Sequence, residues 1–393
     1  MKRIITGLIL IMLLLIPVSC TDDSPGELHT EIAGRWDYAF PQGYDSQMGL
    51  DYYSDPEGGL IDAITITTVD IDKKGYLILS FDPLFGADRS RFFIFDTENP
   101  HSPRLISTIE PEKLEKGPFL VRGTTLHNNI LYASLFLDKG LWMVDVSDPH
   151  NPRDLGIAPV EITSNIIVSG EHAYASGQLY NGISVSDISD TQDIREVARI
   201  DLPSRDCRLA VNDDLLFVGI DQTLTVYDIS LPSSPRQVGA CELAVSEGLV
   251  TELPFYMPGE IHWRNWASII DVQASGDYVY VTFGAGQLRV IDVSDPASPV
   301  EVAAADLGGF AIALTLKDDV LYVTKSDTET QVLQLCIVDI SNPESPGLLD
   351  TVVTESVFGF GGASLAYCWM RPQVIGNYVY VASVNYMDVI EIR

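Results

Sequence analysis

Residues 247–268 hold the densest group of side chains that could bind a ligand in this 393-residue chain. The segment reads EGLVTELPFYMPGEIHWRNWAS, and a further tryptophan and arginine stand near the C-terminus. Aromatic rings beside arginine can stack on sugars or grip peptide side chains and acidic groups. The candidate ligand-binding residues are Tyr256, His262, Trp263, Arg264, Trp266, Trp369 and Arg371. The alternative is an insertion that packs its own tryptophans onto the fold, since large aromatic side chains are usually buried.

Aspartate recurs within one phrase that returns along the chain, as in LWMVDVSDP and LRVIDVSDP. A calcium loop needs several oxygen ligands at alternate positions in one short stretch, and no segment has that pattern. An aspartate followed by Ser, Pro or Asn instead caps a turn through its own side chain. We therefore interpret these aspartates as structural and predict no cofactor, with calcium as the unsupported alternative. They are Asp96, Asp145, Asp187, Asp228, Asp292 and Asp339.

The histidines and short motifs of the sequence indicate no catalytic centre. The six histidines are His29, His101, His127, His150, His172 and His262. None of them forms a His-Glu-x-x-His pair, so the sequence supports no zinc site. The sequence also has no P-loop, no dinucleotide fingerprint and no Gly-x-Ser-x-Gly elbow. We predict turn positions for His101, His127, His150 and His172.

The N-terminus predicts export. Lys2 and Arg3 precede an uncharged run that ends at Ser19-Cys20. This run is shorter than the ~20 residues that span a bilayer as a helix, and its pattern is typical of a secretory signal. Ser19-Cys20 resembles the lipobox of bacterial lipoproteins, although Pro17 stands where leucine is usual. The resemblance implies a signal peptide over 1–19, lipidation of Cys20 and a tether over 20–30. A plain signal peptide with an incidental cysteine is the alternative.

The net charge of the chain limits the classes of partner that we expect it to bind. The formal net charge is −31, and nucleic acids and anionic membrane surfaces both attract clusters of Lys and Arg. We therefore expect no nucleic-acid partner. We expect membrane contact only through the lipid, at the bacterial cell envelope, with display at the cell surface as a further hypothesis. The remaining cysteines are spread too widely for a disulfide framework, so we predict free thiols at Cys207, Cys241, Cys336 and Cys368.

Two phrases repeat along the chain and predict the elements that carry these residues. One is a polar turn followed by an aromatic strand, as in NDDLLFVG and SGDYVYVT. The other is the aspartate phrase, a β-branched strand followed by a proline turn. A third apolar strand precedes each pair of these phrases, and a fourth strand follows the pair. Four-stranded units with a period of ~40–50 residues indicate a β-propeller.

The strand seen here as LWMVDVSDP and LCIVDISNP resembles the repeat of the LVIVD family. The resemblance covers about residues 60–393 and implies an exported bacterial β-propeller. It implies little about activity. We predict an all-β fold, a single propeller over 31–393 with seven four-stranded blades and an insertion at 244–266. Six blades are the alternative count.

The seventh blade needs a fourth strand to close the ring, and the N-terminal strand can supply it. The seventh unit has strands around 373–376, 378–383 and 386–392, and then the chain stops. EIAGRWDYAF (31–40) is the strand-like segment before the first blade, so we expect it to complete the seventh.

Irregular segments are expected on one face of the propeller. They are residues 41–60, 82–91, 244–266, 325–333 and 355–368, which all connect second to third strands or one blade to the next. We call this end of the propeller the loop face. Loops on a rigid scaffold carry recognition, although long connections can also merely cap the channel. The leading hypothesis is a lipid-anchored binding or scaffold protein for a glycan or protein ligand. The alternatives are a polysaccharide lyase or glycosidase, and a purely structural envelope role.

Overall fold

The fold is a ring of seven four-stranded antiparallel sheets, which confirms the predicted all-β propeller with seven blades. Every regular element in the described part of the chain is a β-strand, and it contains no helix long and apolar enough to cross a membrane. The computed structural model describes residues 28, 30–37, 61–71, 74–83, 92–112, 121–135, 140–160, 165–176, 181–204, 207–244, 253–257, 260–264, 268–284, 286–327, 330, 332–357, 371–382 and 386–393. The predicted signal peptide and Cys20 lie outside these ranges.

Each of the first four blades runs outward from the channel in chain order. Blades one and two comprise β2 (Ile61–Ile71), β3 (Lys74–Pro83), β4 (Phe92–Asp96), β5 (Arg104–Ile109), β6 (Val121–His127), β7 (Ile130–Leu135), β8 (Gly140–Asp145) and β9 (Arg153–Ala158). Blades three and four comprise β10 (Ile166–Ser169), β11 (His172–Ser176), β12 (Gly182–Asp187), β13 (Arg195–Asp201), β14 (Arg208–Asn212), β15 (Leu215–Ile220), β16 (Thr223–Asp228) and β17 (Arg236–Glu242).

The insertion contributes a separate hairpin before the fifth blade. Its strands, β18 (Leu253–Met257) and β19 (Glu260–Arg264), form a two-stranded sheet of their own. Blades five and six comprise β20 (Ile269–Ser275), β21 (Tyr278–Phe283), β22 (Gln287–Asp292), β23 (Val300–Asp306), β24 (Phe310–Lys317), β25 (Val320–Ser326), β26 (Val332–Asp339) and β27 (Gly347–Val357).

The N-terminal strand closes the ring, as predicted. Blade seven comprises β28 (Gln373–Ile375), β29 (Tyr378–Ala382), β30 (Tyr386–Ile392) and β1 (Thr30–Asp37). β1 pairs antiparallel with β30 from Thr30↔Ile392 to Asp37↔Tyr386. Side-chain contacts add to this ladder, because Thr30 donates to Asp350 of blade six and Arg393 pairs with Glu31 at 3.1 Å. The first and last described strands of the chain therefore share one sheet.

The turns between first and second strands are tight and follow the predicted pattern. Asn128, Asp213 and Asp318 begin such turns with positive φ values of 50°, 49° and 53°. Glycine takes this first position in blades three, five and seven, for example Gly276 at 54°. Two-residue hairpins favour Asn, Asp and Gly because their twist requires this left-handed backbone. These turns all lie on the face opposite the loop face.

The recurring aspartates cap the turns between third and fourth strands, which confirms their structural role. In each case a carboxylate oxygen accepts the backbone N–H two residues on, as when Asp292 accepts from Ser294 at 2.8 Å. The same bond occurs at Asp96, Asp145, Asp187, Asp228 and Asp339. Hydrogen bonds from Ser230 hold the pKa of Asp228 below its usual value. The aspartate thus recurs because the turn recurs.

The core lies between neighbouring blades, where second and third strands are buried on both faces. Phe92 of blade one stacks on Trp142 of blade two with ring centroids 4.7 Å apart, and the Trp142 indole donates to Asp154 at 2.9 Å. Cys207 and Cys336 are buried thiols that form no disulfide, and burial raises the pKa of Cys336. Cys241 is a half-buried free thiol, and Cys368 lies outside the described residues.

Some predicted irregular segments are partly strand. β3 runs to Pro83, β27 runs to Val357, and only a short connection separates β25 from β26. Backbone pairing with the neighbouring strand extends these elements, and the sequence pattern does not reveal it. The predicted segment 41–60 lies outside the described residues.

Candidate functional site

A polar cavity of about 150 Å³ opens within the central channel. The first strands of blades two to five line it, together with Arg371 of blade seven. Arg208 begins β14, Asn165 immediately precedes β10, and Arg371 lies two residues before the start of β28. First strands run from the loop face towards the tight turns. The cavity also reaches Val211, Gln273 and Ala274, which lie within three residues of the tight turns, so it extends along the first strands from their loop-face ends towards the opposite face.

Several of these residues occupy the same position in their blades. Each lies five residues before the first residue of the tight turn, as Arg208 does before Asp213 and Arg371 before Gly376. Strand pairing places this position opposite a small residue of the second strand, for example Asp271↔Thr282 and Arg208↔Gly219. We call the set the channel ring. Its members in blades two to seven are Gly123, Asn165, Arg208, Asp271, Ala313 and Arg371.

A β-bulge shapes the ring in blade five. The register of β20 shifts between Ile269 and Asp271, so Ile270 is an extra residue without a partner in the ladder. A bulged residue leaves its backbone groups available to other partners. The Ile270 carbonyl accepts from Arg208 Nε at 2.6 Å. Asn165 makes the matching bond one blade earlier, donating to the Cys207 carbonyl at 2.8 Å.

Asp271 and Arg371 form an ion pair across the channel. Asp271 is fully buried, and its two carboxylate oxygens accept from Arg371 at 2.5 and 2.9 Å. The same oxygens also accept the backbone N–H groups of Val272 and, from blade six, Leu314. Four hydrogen bonds satisfy the buried carboxylate, as burial of a charge requires. The pair links blades five, six and seven.

Arg371 keeps part of its guanidinium towards the cavity. Its side chain is 35% exposed, and its bonds to Asp271 use Nε and Nη2. Burial lowers the pKa of Arg371, but the charge and hydrogen bonds of Asp271 together raise it further, so the net pKa is above its usual value. Arg371 therefore stays a cation, and its pairing with Asp271 uses Nε and Nη2 but not Nη1.

The described lining of the cavity is rich in hydrogen-bond donors. Among the described residues that line it, two are arginines and none is acidic, while hydroxyl and amide groups come from Thr124, Thr125, Asn165 and Gln273. Asp271 balances the guanidinium charge of Arg371. Such a set of donors suits an oxyanion, which arginine binds in a forked geometry. In the described ranges, no three His, Cys, Asp or Glu side chains are grouped to hold a metal.

Among the predicted binding residues whose side chains the structure describes, Arg371 lines this cavity. Four others belong to the hairpin, where Trp263 pairs with Pro254, His262 with Phe255, Arg264 with Leu253, and Tyr256 with Ile261. Only their backbone is described. Trp266 and Trp369 lie outside the described residues. Sequence analysis missed Asn165, Arg208 and Asp271, although counting back from each tight turn would have aligned them with Arg371.

The predicted turn histidines serve the fold. His101 lies in the proline turn of blade one, and its Nδ1 hydrogen-bonds to the Ala33 carbonyl of β1 at 2.8 Å. His150 takes the corresponding turn of blade two and packs edge-on against Tyr76. His127 and His172 end and begin strands that flank tight turns.

The comparisons with known proteins agree with the repeat and the fold. The LVIVD repeat matches residues 135–157, 205–243, 268–306, 308–354 and 372–392, which fall in blades two and four to seven. No curated protein matches the chain in sequence. The fold is similar to that of several crystal structures, all at sequence identities too low to carry a function.

Three of these structures have TM-scores above 0.5. A putative 6-phosphogluconolactonase from Bacteroides fragilis has a TM-score of 0.56 at 10% identity, over 79% of this chain and 88% of that one. A functionally unknown protein from Desulfotomaculum acetoxidans has a TM-score of 0.55 at 9% identity, over 75% and 86%. A chain of a mitotic checkpoint complex has a TM-score of 0.54 at 10% identity, over 99% and 98%.

Proposed function

Because the chain is a seven-bladed β-propeller that carries LVIVD repeats, we propose that it is a lipid-anchored binding protein of the bacterial cell envelope. It captures a glycan or protein ligand on the loop face. The observation that carries this proposal is the polar cavity in the central channel, whose lining includes Asn165, Arg208 and Arg371 at the loop-face ends of their blades. Propellers host many activities, so the fold by itself does not choose a function.

The proposed anchor is Cys20. We expect Cys20→Ser to yield an exported but soluble protein, because a lipid on this residue is the proposed attachment to the membrane. Cys241→Ser, which alters a half-buried thiol in blade four, should stay in the membrane fraction. Fractionation after a high-salt wash measures both variants. Recovery of the Cys20→Ser protein in the membrane pellet would contradict the anchor.

The insertion is the second part of the proposed binding surface, and its tryptophans are the residues to test. We expect Trp263→Ala and Trp266→Ala to weaken ligand binding at least tenfold while the melting temperature barely moves. Truncation of a buried aromatic costs about 3–5 kcal/mol, and Trp142→Ala is the matched control for that outcome. Thermal melts and ligand titrations of the three variants distinguish a binding role of the two tryptophans from a packing role. A large loss of stability with unchanged affinity would assign the two residues to packing.

A glycan and peptide array identifies the ligand for these titrations. Residues 21–393 are applied intact and again with residues 253–264 replaced by a short Gly-Ser link. We expect the intact protein to bind a ligand on the array and the shortened protein to lose that binding. Turnover of an arrayed glycan would instead favour the alternative of a lyase or glycosidase, and no retained ligand would contradict the proposed binding role.

A further inference from the structure

We propose that the outer edge of blades five to seven rests on the surface of the lipid bilayer and holds the anchored propeller in one orientation there. The inference deepens the proposed function, because it rests on the anchor at Cys20 and says how the anchored protein meets the membrane. It gives the protein a second, non-covalent contact with the bilayer besides the lipid. The evidence comes from exposed side chains in three neighbouring outer strands.

The large apolar side chains that are exposed cluster on one side of the ring. Six such side chains occur in the described part of the chain, and five of them belong to the outer strands of three consecutive blades. One lies elsewhere, namely Leu231 in the proline turn of blade four. Clustered apolar groups on a surface mark a site of contact with a partner or a membrane. We call the five the apolar rim: Val300 in blade five, Leu348, Leu349 and Val353 in blade six, and Ile32 in blade seven.

The rim occupies positions that are polar or charged in other blades. Leu348 and Ile32 take the same position in their outer strands, opposite Val338 and Ile390 of the third strands. In blades two to five the residues at this position are polar, namely Asp154, Glu196, Gln237 and Glu301. Val353 lies opposite Gln334. In blades three to five the residues at its position are acidic, namely Asp201, Glu242 and Asp306.

The first residue of the outer strand shows the same change. In blades one to four an arginine begins this strand: Arg104, Arg153, Arg195 and Arg236. Val300 and Gly347 take its place in blades five and six. Blade six therefore has uncharged residues at three outer positions where most other blades carry a charge, so this edge can leave water at little electrostatic cost.

The chain that leads to Cys20 leaves the propeller beside the rim. Leu28 packs against the buried cluster that blades six and seven share. Thr30 donates to Asp350, which follows Leu349 directly in β27. Eight residue steps separate Leu28 from Cys20, and they span at most about 29 Å. An anchored Cys20 therefore keeps blades six and seven close to the bilayer.

The net charge favours a bilayer over a second copy of the chain as the occupant of the rim. Pairing of two rims would bring together two molecules that each carry a formal charge of −31, and a large net charge keeps proteins monomeric. A zwitterionic bilayer has no such net charge, and apolar side chains can enter the boundary between its headgroups and acyl chains. The rim is small, so we expect it to orient an anchored molecule and not to retain a free one.

This contact leaves the loop face open to a ligand. Third strands run towards the face of the tight turns, and Thr30 pairs with Ile392 at the end of the third strand β30. The chain to Cys20 therefore leaves from the face opposite the loop face. Val300 and Leu348 lie at the same end of their strands. A propeller that rests on the rim thus directs its loop face away from the anchor.

The test is hydroxyl-radical footprinting, in which mass spectrometry measures how fast each side chain is oxidised. Residues 21–393 carry an N-terminal hexahistidine tag in place of Cys20 and are attached to phosphatidylcholine vesicles that contain a nickel-chelating lipid. We expect oxidation of Leu348, Leu349 and Val353 to fall at least threefold on the vesicles, because the bilayer covers them. The matched control is Leu231, which is 60% exposed and should be oxidised equally fast with and without vesicles.

A charged variant shows whether the apolar side chains make the contact. Leu348→Glu combined with Val353→Glu should restore the oxidation of Leu349 on vesicles to its rate in solution. The variant should still melt cooperatively, because other blades carry glutamate at these two positions, as Glu196 and Glu242 show. Leu231→Glu is the control and should leave the rim protected.

Three results would overturn the inference. One is equal oxidation of the rim with and without vesicles, which needs no variant to measure. Another is protection of Leu349 that persists in the charged variant. The third is protection that appears without vesicles and rises with protein concentration, together with a dimer in sedimentation velocity. That result would assign the rim to a second copy of the chain.

The membrane contact and the proposed anchor can fail separately, because the tag replaces the lipid in this test. A protected rim, together with Cys20→Ser protein in the membrane pellet, would remove the anchor and leave the contact standing. An unprotected rim, together with a soluble Cys20→Ser protein, would do the reverse.

Discussion

Deleting residues 28–37 is expected to open the propeller and make it aggregate. The deletion removes β1, which pairs with β30 from Thr30↔Ile392 to Asp37↔Tyr386, and exposes an unpaired strand edge. A backbone hydrogen bond contributes about 1 kcal/mol net, so loss of this ladder should cost roughly 5 kcal/mol. The contact of His101 with the Ala33 carbonyl is lost as well. Thermal melts and light scattering measure both effects.

A strand added in trans provides the control for this deletion. A synthetic peptide of residues 28–37 should bind the open edge of blade seven and restore the melting temperature and the monomer peak. A peptide with the same residues in scrambled order should not, because register is set by which side chains face the core. A shortened protein that is as stable and monodisperse as the parent chain would contradict closure by β1.

The fold could be predicted because its signals are local. Two-residue turns such as Asp213-Asp214 and Gly276-Asp277 sit between apolar runs, and the side chains that set their backbone are visible in the sequence. The capping aspartates also act within two residues of their own position. Repetition of these local signals indicated blades, and the need to close the ring assigned the N-terminal strand.

The channel ring could not be predicted in the same way, because it depends on distant parts of the chain. Arg371 meets Asp271 across 100 residues, and their blades are separated by blade six. The spacing between repeats varies with the inserted loops, so a fixed repeat length does not align the ring positions. Counting back five residues from each tight turn aligns them but does not show which of them meet. The bulge at Ile270 also leaves the Ile270 carbonyl available to accept a hydrogen bond from Arg208. Nothing in the sequence SIIDVQ (268–273) indicates this bulge. Tertiary pairing, rather than local propensity, creates the site.

The aromatic insertion is conspicuous in the sequence for a different reason. Trp263 and Arg264 stand out by composition, whereas Arg208 and Asp271 are single charged residues within ordinary strands. Composition identifies segments with an unusual set of residues. A channel site is not visible in this way, because each blade contributes only one residue to it. The proposed ligand-binding role therefore involves two parts of the protein, the channel cavity and the insertion, and separate variants test each part.

Replacing Arg371 by alanine is expected to destabilise the propeller by about 3 kcal/mol. The fully buried Asp271 would lose its counter-charge, and breaking a buried pair in this way costs about 3–5 kcal/mol. We expect the lower end because the Arg371 side chain is 35% exposed, so water can replace some of its bonds. Urea unfolding with a common slope measures the change.

A double-mutant cycle shows whether the loss comes from the pair itself. Asp271→Asn removes the buried charge while keeping groups that can hydrogen-bond, so adding it to Arg371→Ala should recover at least half of the lost stability. Arg371→Lys retains the cation and should cost less than the alanine variant. The matched control is Arg153→Ala, which breaks the ion pair with Asp145 on an outer turn, where Arg153 is 72% exposed, and should cost less than about 1 kcal/mol. Strictly additive losses in the double variant would show that Arg371 and Asp271 act independently, and the channel ring would then be a set of neighbours rather than a coupled network.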